Sequence, residues 1–251
     1  MRAQKNHVVS LPALRRELAG LTDPAQAAFL QRFFKTGPGE YAEGDRFRGI
    51  RVPVLRRLSR GYGSLRMEDI LVLLKSPWHE DRLVALLVLA RQFGGASAQE
   101  QRKIYQLYLN HTRYINNWDL VDVTVTHIVG AWLLDRDPAP LFSLVASPFL
   151  WERRIAIVAT HEFIRRNRFD LTLQLAEKLL DDPHDLIHKA AGWMLREVGK
   201  RDQGVLRRFL DQHQDHMPRT MLRYAIERLP PSERLHRLKS SAKIRSVRMR
   251  V

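Results

Sequence analysis

Four prolines stand in register along this chain. Pro148, Pro183 and Pro218 lie 35 residues apart, and Pro77 precedes Pro148 by 71, close to two such periods. Each opens the same kind of amphipathic segment. Eight residues after them come Ala85, Ala156, Ala191 and Ile226, and five or six after them come Arg82, Arg153 with Arg154, Lys189 and Arg223. Ser76, Ser147 and Asp182 stand just before three of the prolines, where they can cap a helix that has Pro in its first turn. A period of about 35 residues built from helices is the signature of a helical solenoid. The spacing therefore predicts an all-α fold: a right-handed superhelical solenoid of paired antiparallel helices, of HEAT-like or armadillo type. The recurring basic residue would then set a cationic row on the concave surface, with Arg82, Lys189 and Arg223 as candidate phosphate contacts.

The rest of the pattern agrees. LPALRRELAGL, EDILVLLKS, DRLVALLVLARQF, RRIAIVATHEFIRR, LTLQLAEKLL and HKAAGWMLREVGKR carry apolar residues at three- and four-residue spacing. Breakers such as TDP, TGPGEY, SRGYGS, GGAS and DRDPAP fall between them. No stretch alternates long enough to predict sheet. Two segments lie outside the repeat. Residues 36–52 read as a Gly-rich loop of mixed charge. Residues 236–251 read as a mobile basic tail carrying Lys243, Arg245, Arg248 and Arg250, after a single domain over 1–235.

Composition narrows the function. The chain has 42 Lys+Arg against 27 Asp+Glu, a formal charge of +15, which predicts a polyanionic partner. An apolar content of 45% with five Trp and ten Phe argues for a folded core. The absence of cysteine excludes a disulfide scaffold, a thiolate metal site and a Cys nucleophile, and is compatible with a reducing cytoplasm. Apolar runs are interrupted by Arg or Lys, so no membrane span is expected. The N-terminus lacks an uninterrupted apolar h-region, so no secretory signal is expected either. His184 and His188 stand four apart without Cys or carboxylate company, and no metal site is expected. No phosphate loop and no Gly-x-Ser-x-Gly elbow is present.

Three segments could carry chemistry. In YINNWDLVD (114–122), Trp118 and Asp122 are one turn apart and share a helix face. Asp119 points about 100° away and could simply favour the helix dipole. In SPFLWERRIAI, Arg153 and Arg154 cannot both face one way. In HKAAGWMLREVGK, Trp193 follows Ala190, Ala191 and Gly192, small residues that permit close approach to the helix. Each also admits an ordinary reading, as core aromatics and solvated charges.

Taken together these segments resemble the DNA alkylation repair family of HEAT-like-repeat alkylpurine DNA glycosylases, over about residues 10–230. NNWDLVD (116–122), WERRIAIV (151–158) and KAAGWMLREVGK (189–200) carry the resemblance, with GDRFRGIRVPVLRRL (44–58) in support. The resemblance implies that Asp122 is the catalytic carboxylate and that Trp118 and Trp193 pack against the damaged nucleotide's backbone. It makes Arg154 a phosphate-holding arginine and Phe33 a possible DNA contact. It implies excision of N3- or N7-alkylated purines from double-stranded DNA with no metal or organic cofactor. A solenoid that wraps DNA is expected to be a monomer, and the expected location is cytoplasmic and nucleoid-associated. The Gly-rich stretch 36–46 departs from the family pattern. It leaves open a non-catalytic protein that binds bent, branched or damaged DNA; a scaffold for an acidic protein is a third reading.

Overall fold

The computed structural model describes residues 9–248, with side chains as far as 239. Among the described residues there is no strand, only an isolated bridge between Arg46 and Trp78. The fold class is all-α, as the periodicity predicts. The chain divides between Ile128 and Val129 into two compact units.

The first unit contains α1 (Leu11–Gly20), α2 (Pro24–Gln31), α3 (Val52–Gly61), α4 (Met67–Leu74), α5 (His79–Gly95), α6 (Ala98–Asn110), a 3-10 turn (Thr112–Tyr114) and α7 (Trp118–Asp122). α5 is its centre and packs against α3, α4, α6 and α7. A π-helical turn, Thr126–Gly130, leads into the second unit. There follow α8 (Ala131–Leu133), α9 (Ala139–Val145), α10 (Leu150–Ala159), α11 (His161–Arg165), α12 (Asp170–Lys178), α13 (Asp185–Arg201), α14 (Gln203–His213), α15 (Arg219–Ala225) and α16 (Pro231–Arg248). Within this unit α10, α13 and α15 pack in succession, with α9 against α10 and with α12 and α14 against α13. The periodic run 153–166 is split at Thr160, whose hydroxyl turns back to donate to the Ile157 carbonyl at 2.7 Å.

The proline register is real in three dimensions. Ala85, Ala156, Ala191 and Ile226 are all buried, at equivalent points of α5, α10, α13 and the turn ending α15. The capping differs from expectation. Helices α5, α10 and α13 begin two residues after their prolines. The Ser76 and Ser147 hydroxyls accept from the backbone N–H two residues on, at 3.2 and 3.0 Å, and donate to Asp81 and Glu152 at 2.8 and 2.6 Å. Asp182 does the first of these jobs with a carboxylate, accepting from His184 N at 2.9 Å. The preceding residue thus caps a proline turn, and that turn feeds the helix.

Gly49 and Gly192 are among the glycines that mark close approaches. Gly49 has φ +83°, and a Cβ there would lie 2.2 Å from the Asp23 carbonyl oxygen. Its neighbours are held by Glu80, which accepts from the N–H groups of Arg48, Gly49 and Ile50 at 2.8, 2.8 and 3.2 Å. The segment after the Gly-rich stretch is therefore pinned to the start of α5. At Gly192 a Cβ would meet the Met221 carbonyl oxygen at 2.5 Å, so the partner that uses this small-residue surface is α15. Gly192→Ala is expected to destabilise by roughly 1–3 kcal/mol by forcing the two backbones apart, despite alanine's higher helix propensity. A lowered urea midpoint at unchanged helical circular dichroism checks it.

The expected tail boundary at 235/236 falls inside α16. Arg237 is drawn in because it donates to Asp211 and Gln214, both at 2.9 Å, and to Glu233 at 3.2 Å. The side chains of Lys243, Arg245 and Arg248, and the whole of Arg250, lie outside what is described.

Candidate functional site

α7 is short and carries Trp118 and Asp122 at its two ends. Leu120 and Val121 are fully buried, while Trp118 and Asp122 are half-buried on the other side. Asn117, itself buried, caps the helix by accepting from the Trp118 N–H at 2.8 Å. Its amide nitrogen donates to Asp45 at 3.2 Å. Asp119 is buried too. It accepts from His79 Nε2 at 2.8 Å and from the Leu120 N–H at 2.9 Å, so its role is far more specific than a dipole charge.

These bonds belong to one buried network. Asp45 receives Arg82 Nη2 at 2.6 Å and faces His79 Nδ1 at 3.4 Å. Arg82 Nη1 also donates to the Ser76 carbonyl at 3.0 Å. The charges of Asp45, Asp119, Arg82 and a protonated His79 cancel, as a group of buried ions requires. Burial alone would strip the proton from His79, but the charge and hydrogen bond of Asp119, helped by Asp45, outweigh it and raise the ring to about 9. Burial likewise opposes ionisation of Asp45, yet its bond to His79 and the Arg82 charge hold it below the ordinary carboxylate value.

Aromatic rings back the network. The His79 ring stacks on Phe47 at 4.9 Å and lies 5.1 Å from Phe34. Phe34 in turn stacks on Trp118 at 5.2 Å with 16° between planes. Phe33, the aromatic singled out from the resemblance, is 59% exposed and meets Phe29 edge-on at 5.6 Å. Near Asp122 lies Tyr108. Its hydroxyl shares a 3.2 Å bond with Thr124, and burial, with a smaller contribution from the Asp122 charge, pushes its phenol pKa upward.

Stability should follow the His79 charge. Its folded-state pKa, about 9, lies above its ordinary value of 6.5, so its contribution is complete below the lower figure and is lost as pH rises through the higher. The difference corresponds to on the order of 3 kcal/mol. Urea midpoints measured across that alkaline window are expected to fall. At the acid end Asp45 acts oppositely, its contribution disappearing as pH drops below 3.8.

In the second unit Trp193 is half-buried, donates its indole N–H to Glu197 at 3.1 Å and lies tilted 6.1 Å from His161. Burial holds the His161 ring below its usual pKa, against the opposing charge of Glu197. Arg154 is 5% exposed and donates to the Leu186 carbonyl at 2.6 Å, in the first turn of α13. Lys189 is partly exposed and paired with Asp185 at 2.7 Å, and Arg223 is exposed.

The recurring basic residues do not form a uniform row. Arg82 is 4% exposed, so it presents no charge to the surface. Arg153 repeats its geometry, donating to the Ser147 carbonyl at 3.0 Å and to Asp182 at 2.6 Å. At both positions the guanidinium closes the proline turn that precedes its own helix. A carboxylate and a turn carbonyl within reach draw the fork inward.

The sequence reading missed Asp45, His79, Asn117 and Phe34. The buried Asp45–His79 contact spans 34 residues and His79–Asp119 spans 40. Local periodicity holds no trace of such pairs. The one available signal was the clustering of polar residues, NN before Trp118 and HED after Trp78, at the starts of two apolar helices.

Among the described residues no group of His, Cys, Asp or Glu could hold a metal ion, and no helix is long and apolar enough to cross a membrane. What the fold and site define is an all-helical, strongly basic protein of Pro-led repeats that carries an indole and a carboxylate one turn apart on a buttressed helix. The family model for DNA alkylation repair enzymes matches residues 14–229, and the chain belongs to that family. It is similar to a solved structure described as a predicted DNA alkylation repair enzyme from Enterococcus faecalis. The match covers 84% of this chain and 97% of that one, with a TM-score of 0.65 and 17% sequence identity, a likeness of fold. No curated protein matches the chain.

Proposed function

We propose that this protein is a DNA glycosylase that hydrolyses the N-glycosidic bond of N3- or N7-alkylated purines in duplex DNA. The observation that carries the reading is the pairing of half-buried Asp122 and Trp118 on α7, in a chain of the alkylation repair family. Alkylation at either nitrogen makes the base cationic and a good leaving group. No acid is then needed to protonate it, and neither metal nor organic cofactor is called for. Departure of the base leaves oxocarbenium character on the deoxyribose. Asp122 stabilises that charge and orients the attacking water. The Trp118 indole, backed by Phe34, offers a face to the sugar, a cation–π contribution of about 0.5–2 kcal/mol.

For the second unit the proposal is that Trp193 contacts the nucleotide backbone and that Lys189 and Arg223 contact phosphates. Arg154, given its burial and its bond to the Leu186 carbonyl, serves by fixing the start of α13, the helix that carries Lys189 and Trp193. The charge of +15 supports salt-sensitive affinity for duplex DNA. The protein acts as a cytoplasmic monomer.

The test is a single incubation with a duplex containing 7-methylguanine, scored for both retained DNA and free base. Release of 7-methylguanine above the spontaneous rate is expected. Retention with no release, even at excess protein, would replace the enzyme with a damaged-DNA-binding protein. Neither retention nor release at physiological salt would point to an acidic protein partner.

A further inference from the structure

α7 spans only Trp118–Asp122. A helix of that length does not hold its own direction in water. Besides the burial of Leu120 and Val121, two side chains at its N-terminal end tie it down, Asn117 reaching Asp45 at 3.2 Å and Asp119 reaching His79 at 2.8 Å. Asp45 and His79 face each other, so both anchors meet at one buried pair. His79 presents Nδ1 to Asp45 and Nε2 to Asp119. A neutral imidazole has a single N–H and can serve only one of these carboxylates; the imidazolium serves both. The same ring packs on Phe34, the residue stacked on Trp118. The charged groups acting on it are Asp45 from the loop, Asp119 from α7 and Arg82 from its own helix.

We propose that His79, as the imidazolium, is a positioning residue that holds Trp118 and Asp122 in place for the reaction, so that loss of its proton loosens the site. The ring touches neither substrate nor reacting atoms. It acts through Asp119 on the helix that carries the carboxylate, and through Phe34 on the indole. The kinetic consequence rests on the glycosylase reading; the positional one does not. The carboxylates on either side of the ring keep it charged at neutral pH, so the assembled site is the resident state. A purely structural His79 would set thermal stability and leave the indole environment and the rate profile unchanged.

Two measurements on the full chain decide the matter. In the first, the Trp118 indole N–H resonance, identified by its loss in Trp118→Phe, is followed by NMR alongside the His79 ring signals from about pH 6.5 to 10. The indole signal is expected to move with the His79 midpoint, and to lose that transition in His79→Gln. An indole signal that stays still while His79 titrates overturns the proposal. In the second, single-turnover base release is measured over the same range, with spontaneous release subtracted. The rate is expected to fall roughly tenfold per pH unit above the His79 midpoint, at unchanged DNA affinity. Asp119→Asn removes one carboxylate that retains the proton, so it should move the falling limb to lower pH. A limb that stays in place overturns the proposal equally. Should His79→Gln fail to fold, the wild-type and Asp119→Asn titrations still decide. Should the wild type release no base, the glycosylase reading falls, and the indole titration alone supports or refutes the positioning role.

Discussion

Asp122→Asn is expected to lower release of 7-methylguanine by about 100-fold or more, while duplex affinity stays within a few-fold of wild type. The two side chains are nearly isosteric, so the change removes charge and leaves shape. What is lost is the interaction that exists only as the sugar becomes positive, and a contact made only in the transition state shows in the rate and hardly at all in binding. DNA affinity has other sources, chiefly the formal charge of +15, and these survive. Single-turnover rates and salt-titrated binding on the same preparation separate the two quantities. Equal release by both proteins would remove Asp122 from its assigned role and leave the chemistry of this site without a carboxylate.

The largest effect on stability is expected from Asp45→Ala. Asp45 is the acceptor shared by Arg82 at 2.6 Å, Asn117 at 3.2 Å and His79 at 3.4 Å, all deep in the first unit. Deleting it leaves an arginine and a histidine buried with one carboxylate between them. Removing one partner of a buried ionic group costs about 3–5 kcal/mol, a large part of the stability of an ordinary domain. Urea denaturation should show it as a lowered midpoint. Part of the cost should be relieved at alkaline pH, because His79 can then shed its proton. A variant as stable as wild type at pH 7 would mean that the network is solvated in solution and does not anchor α7. Asp45→Asn, which keeps the shape and part of the bonding, is expected to fall between the two.

The parts of the site that could be read from residue order are those within one turn of helix. Trp118 and Asp122 share a face because they are four apart. Ala190 to Gly192 admit a neighbour because they are small, although only the fold reveals that neighbour to be α15. Arg82 could not be read in this way. By position it is a repeat of Arg153, and by composition a surface charge on a basic protein. Its burial follows from Asp45, 37 residues earlier, and from the carbonyl of Ser76. The aromatic behind Trp118 was equally hidden. Phe33 and Phe34 are adjacent and chemically the same, and only the path of the loop after α2 decides that Phe34 turns inward.

Residue order alone determined the helical class, the 35-residue spacing of the Pro-led starts and the one-turn separation of indole and carboxylate. Those are consequences of local backbone geometry, which repeats every few residues and leaves its period in the string. Tertiary structure alone decided which charges face water and which face one another. That choice depends on the dielectric around each group and on partners brought together from distant turns, and neither quantity is a property of a residue or of its neighbours in the chain. His79 is the plainest case: an unremarked histidine in one dimension, and in three the charged pivot between Asp45 and the helix that bears Asp122.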